Sequence, residues 1–187
     1  MGKLGKKFLA SLPHNLYYSI TIRRTKPKNH GRWALPNHKN IESIALALNM
    51  GRSYKSDGLI DKVNHPRLTQ KRIQNYKPIG DCDDHAIYIA SCLLKSGLAT
   101  NVNLLSVYYQ KEHNKKGAHV VCFFTGLDGQ KYWMDYGMPN ASANISAASY
   151  WIGDHAYGTR VISSTVTPVR RLGRHDTPIL GKSRRVL

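Results

Sequence analysis

A chain of 187 residues is long enough for one domain with its own core, and nothing in its composition marks a second. Lys and Arg number 28 against 11 Asp and Glu, a formal charge of +17, and the excess lies at the ends: nine basic residues and no acid up to Ile41, then seven against Asp176 alone from Thr159 onward. Three irregularly spaced cysteines (Cys82, Cys92, Cys122) argue against a disulfide scaffold. The apolar run 8–12 is too short for a signal-peptide core, and no stretch reaches transmembrane length. The expectation is a cytoplasmic protein, or a virion-associated one if phage-encoded. Its basic ends would bind nucleic acid or neighbouring particle subunits, and no membrane partner is expected.

The arm 1–36 holds one alternating, strand-type run, Leu16 to Ile22. Pro36 and Asn37 then introduce a helix with Ile41, Ile44, Ala45 and Leu48 on one face and Gly51 as its stop. Residues 52–79 are polar and broken by Gly58, Pro66 and Pro78, leaving room for one short helix near 68–76. From Cys82 the apolar positions Ala86, Ile89, Ala90 and Leu93 recur at helical spacing up to a cap at Gly97.

Three strand-type runs follow, 102–109, 119–125 and 130–136, the last two joined by Gly126-Leu127-Asp128-Gly129. A three-residue loop with Gly129 left-handed pairs positions whose numbers sum to an even value. His119 and Asp135 then share one face, opposite each other or one pair offset. A further strand is expected over 159–166. The division is a basic arm 1–36, a domain 37–167 and a basic extended tail 168–187; the fold class is α+β, a helix packed on an antiparallel sheet.

The chemistry centres on Gly80-Asp81-Cys82-Asp83-Asp84-His85-Ala86. Cys82 would occupy the first turn of its helix, where unpaired N–H groups favour a thiolate. Asp81, Asp83 and Asp84 oppose that, since their charge raises a thiol pKa unless a cation offsets it. Cys82 at a helix start, His119 opening a strand and Asp135 on the next strand form a nucleophile, a base and an orienting acid in chain order. Cys92 and Cys122 read as core. Zinc on Cys82 with His85, or His119 with Cys122, is disfavoured, since residues three apart on a strand face opposite ways.

These residues, with Ala118-His119-Val120 and Trp133-Met134-Asp135, resemble the transglutaminase-like superfamily, most closely the bacterial transglutaminase-like cysteine proteinases, over about residues 78–137. The resemblance implies a papain-like core with Cys82 as nucleophile, His119 as base and Asp135 as orienting carboxylate. The implied function is a cysteine peptidase acting on a polypeptide or peptide substrate by hydrolysis of peptide or isopeptide bonds. It also implies Ca2+ held by Asp81 and Asp83, as some relatives hold the ion with the acids flanking the cysteine. His85 stands where many relatives have an aromatic residue, and Gln74 is an oxyanion-donor candidate by residue type alone. Two alternatives stand beside it: a cell-wall peptide hydrolase, and a basic assembly or nucleic-acid-associated protein, such as a phage virion component, that keeps the fold with a silent or subsidiary site.

Overall fold

Helix α1 (Ile41–Met50) forms where the periodicity places it, burying Ile44, Ala45 and Leu48, with Asn40 Oδ1 accepting the Ser43 N–H at 2.9 Å at its start. The computed structural model describes residues 33–50 and 63–187, so the strand expected over 16–22 and the stop at Gly51 lie outside the described residues. Helix α2 (Pro66–Gln74) opens on a proline, and its N-cap His65 accepts the Arg67 N–H. Helix α3 (Cys82–Ser96) runs fifteen residues and ends at Gly97, whose φ of 62° supplies the left-handed cap.

The sheet is antiparallel throughout: β1 (Ala99–Gln110), β2 (Lys116–Gly126), β3 (Lys131–Met134), β4 (Asn140–Ala141), β5 (Arg160–Leu172), β6 (Pro178–Leu180) and β7 (Arg184–Arg185). Spatial order is β4-β3-β2-β1-β5-β6, with β7 also paired to β5. Strand alternation divides the core into two layers. Leu104, Val120, Cys122, Phe124 and Met134 face α3, meeting Ala86, Ile89 and Leu93. Leu105, Val107, Val121, Phe123 and Trp133 face the other way, under Ala148 of helix α4 (Ile145–Tyr150) and Ile152 of the π-helical turn that continues it (Trp151–Ala156). Each fully buried aliphatic side chain contributes about 1.5–3 kcal/mol, so the packing of α3 on β1 and β2 contributes a large share of the stabilisation. Cys92 and Cys122 are both inside it. The α+β architecture, with the Cys82 helix packed on an antiparallel sheet, is the one that forms.

The β2–β3 hairpin has the three-residue loop. Gly126 N–H reaches Gln130 O at 2.8 Å, Gly129 has φ 78°, and Thr125 pairs with Lys131 and Cys122 with Met134. His119 and Asp135 therefore share a face with a one-pair offset. β3 is shorter than the expected 130–136, so Asp135 lies one residue past its end. Beyond that point the β2 edge is open, and α3 takes the vacated place.

The C-terminal segment differs from expectation. The boundary at 167/168 falls inside β5, and residues 168–187 return as β6 and β7 on β5 rather than trailing as a tail. Buried Asp176 fastens this return, accepting the Leu35 N–H at 3.2 Å, Arg67 Nε at 2.8 Å and Lys95 Nζ at 3.3 Å. Arg170, Arg171, Arg184 and Arg185 are exposed while Val169 is buried, so the basic composition marks an outer surface rather than loose chain. Leu35 is buried too, which joins the end of the expected N-terminal arm to the body.

Candidate active site

The turn into α3 is built by Gly80 and Asp84. Gly80 has φ 142°, and a Cβ there would stand 1.7 Å from Asp84 Oδ2. Asp84 is fully buried; its carboxylate accepts the Asn64 N–H at 2.5 Å and the Asn64 side-chain amide. The first glycine and the last aspartate of the motif thus hold the loop that presents Cys82.

Cys82 is half-buried, and its sulfur accepts the backbone N–H of Val120 on the open β2 edge. One residue earlier on that strand, His119 donates through Nε2 to Asp135 Oδ2 at 2.7 Å, with both side chains buried. The three residues singled out in the sequence are brought to one notch, where β3 ends and α3 begins. Tyr132 and Trp133 are not part of it: Tyr132 stacks on Phe124 at 5.6 Å and Trp133 packs against Trp151 at 5.1 Å. Gln74 is exposed at the end of α2.

Tyr157, which the sequence reading did not single out, stacks on the His119 ring at 3.8 Å and 28°, and its hydroxyl donates to Asp135 Oδ2. Tyr136 lies 5.8 Å from His119 and meets the His85 ring edge-on at 4.6 Å. His85 is buried, and neither ring nitrogen has a hydrogen-bond partner among the described residues. The sequence signal that could have found Tyr157 is the pair of glycines around it, Gly153 and Gly158, in a segment otherwise poor in motif.

Burial, then Asp83, pushes the Cys82 thiol up to about 12; Asp81 and Asp135 add to this, and only the Val120 N–H pulls the other way. From an ordinary value of 9.0 that rise corresponds to roughly 4 kcal/mol. A helix N-terminus offers about 0.3–1 kcal/mol, so the expected thiolate preference is outweighed and the resting group is a thiol. Burial lowers His85 to about 4, against the opposing charges of Asp135 and Asp81, so its imidazole is neutral. Burial and the bond to Asp135 keep the Tyr157 phenol protonated.

Carboxylate oxygens of Asp81, Asp83 and Asp84 lie within 4.8 Å of one another. Asp84 is committed to Asn64, whereas Asp81 Oδ1 is buried without a hydrogen-bond partner among the described residues. Hard oxygen donors crowded together, one of them unsatisfied, fit a hard divalent cation such as Ca2+.

No protein-family model matches the chain, and no curated protein matches it. Among solved structures it is similar to Legionella pneumophila LapG, at 16% identity and a TM-score of 0.41 over 85% of this chain and 80% of that one. The EGTA-treated form gives 16% identity and 0.41 over 85% and 78%, and the calcium-bound form 17% and 0.41 over 84% and 80%. A likeness at this level carries neither a family nor an activity to this chain.

Proposed function

We propose that the protein is a thiol-dependent acyl-transfer enzyme, a cysteine peptidase of transglutaminase-like type in which Cys82, His119 and Asp135 act together. The observation that carries this reading is the 2.7 Å His119–Asp135 bond one residue from the Val120 N–H on which the Cys82 sulfur rests. With Nε2 committed to Asp135, Nδ1 is the nitrogen left for the thiol, and Asp135 sets that tautomer.

His119 acts as general base, taking the thiol proton while sulfur attacks the carbonyl. The imidazolium then returns its proton to the leaving amine. A water activated by the same imidazole hydrolyses the thioester. Hydrolysis is preferred to transfer onto an amine, and the substrate is a polypeptide or peptide, cell-wall peptide included. Asp81 and Asp83 would hold Ca2+, which when bound supplies positive charge against the carboxylates beside the thiol.

A thiol-directed peptidase probe tests the reading. Cys82 should label faster than Cys92, and His119→Ala should abolish both labelling and peptide hydrolysis. Equal labelling of the two cysteines, together with labelling and hydrolysis unchanged by His119→Ala, refutes it.

Among the described residues no helix is long and apolar enough to cross a membrane. The exposed arginines of β5 and β7, with Val166 paired to Arg184 and Thr165 to Arg185, favour an anionic partner as a second property of the surface. Affinity for duplex DNA that falls steeply with salt supports that property, and affinity indifferent to salt excludes it.

A further inference from the structure

Tyr157 belongs to no part of the motif pattern, yet several features of the fold converge on its placement. Helix α4 runs on into a π-helical turn in which Tyr157 N–H bonds Ile152 O at 3.1 Å, and such turns recur at functional sites. Asp154 Oδ1 accepts the Val161 N–H at 2.5 Å, tying that turn to β5, and Thr159 N–H bonds Gln110 O at 2.9 Å, tying the exit to β1. The approach is so close that a Cβ on Gly158 would stand 2.5 Å from Gly153 O and 2.6 Å from both Gln110 O and the Tyr109 ring. A Cβ on Gly153 would stand 2.9 Å from Val161 Cβ. Neither position accepts a side chain without a shift of the strand or turn atoms it faces.

The outcome of this packing is specific. The Tyr157 ring lies flat on His119, and its hydroxyl donates to the same Asp135 oxygen that receives the His119 Nε2 proton. A carboxylate oxygen that accepts two donors spreads its charge over both and holds each less strongly than it would hold one.

Resting on the peptidase reading of the site, we propose that Tyr157 is a positioning residue: its ring fixes the plane of the His119 imidazole, and its hydroxyl shares Asp135 Oδ2 and so moderates the carboxylate's hold on that imidazole. The groups around His119 are Cys82 and His85 from α3, Asp135 and Tyr136 beyond β3, and Tyr157 itself, with Tyr109 of β1 6.3 Å from the Tyr157 ring. Tyr157 both touches the imidazole face and bonds its partner.

The test is a pH titration of the His119 imidazole by proton–nitrogen NMR in the full chain, on the wild type, Tyr157→Phe and Tyr157→Leu. Peptide turnover is measured in parallel. Tyr157→Phe keeps the ring and removes the donor, so Asp135 Oδ2 should hold the imidazole more strongly and the His119 Nε2–H signal should move downfield with the bond retained. The pH profile of kcat/KM should differ from that of the wild type while KM holds. Tyr157→Leu also removes the stacked face, so the Nε2–H signal should broaden by exchange and kcat should fall about tenfold, as for a misplaced reacting group. Identical His119 titrations and Nε2–H signals in all three proteins overturn the proposal and leave Tyr157 as packing. An NMR shift with no turnover in any of the three proteins, wild type included, overturns the peptidase reading and establishes the hold of Tyr157 on the pair.

Discussion

Replacing Gly80 by Ala should be among the most damaging single changes in this chain. Its φ of 142° belongs to backbone space that L residues enter at a cost of about 1–3 kcal/mol. The added Cβ would also meet Asp84 Oδ2 at 1.7 Å, Cγ at 2.6 Å and Cβ at 2.9 Å, so the buried carboxylate must leave Asn64. Losing hydrogen bonds to a buried charged acceptor costs about 1.5–3 kcal/mol. Together these give about 2.5–6 kcal/mol, a large share of the 5–15 kcal/mol typical of a domain. Urea unfolding at pH 7 measures the loss, and a double-mutant cycle with Asp84→Ala isolates its cause. With the Asp84 side chain gone, Gly80→Ala should cost only its backbone strain, leaving a coupling of at least about 1.5 kcal/mol. A single-variant loss under about 1 kcal/mol, or additivity within about 0.5 kcal/mol, refutes the account.

His85 titrates near 4 in the native protein, below its ordinary 6.5, so the unfolded chain takes up the proton first as pH falls. Stability should drop between pH 6.5 and about 4, by up to about 1.4 kcal/mol per pH unit, and His85→Phe should flatten urea midpoints across that window; an unchanged slope in the variant refutes the assignment. Asp176 is pushed up by burial, but the Leu35 N–H, Arg67 and Lys95 outweigh that and hold its pKa below the usual carboxylate range. Its contribution is therefore present above the ordinary carboxylate pKa and lost as pH falls through the lower native one. Asp176→Ala, which removes a carboxylate acceptor from buried Arg67, should cost about 3 kcal/mol at pH 7 and open the β6 amides first in hydrogen exchange; protection of β6 equal to wild type counts against this clasp. Calcium should raise the melting temperature of the wild type, reversibly with EGTA, and leave an Asp81→Asn, Asp83→Asn variant unmoved; equal shifts in both proteins place the ion elsewhere.

Local chemistry made much of this protein legible before any tertiary contact. Helix α3 begins and ends where its apolar spacing and Gly97 place it, because a 3.6-residue period and a left-handed cap are properties of adjacent residues. The shared face of His119 and Asp135 was equally accessible, since loop parity sets hairpin register and Gly129 favours the three-residue loop. What spacing along the chain does not contain is the return of distant segments. Asp176 meets Arg67 across 109 positions, so the supposed C-terminal tail becomes two strands; Tyr157 reaches Asp135 from a turn whose two glycines press on β1 and β5. The balance at Cys82 was likewise decided by the fold. The sequence placed a helix dipole and three aspartates in opposition, and burial in three dimensions added the largest contribution, raising the thiol because desolvation penalises charge by more than a helix end repays.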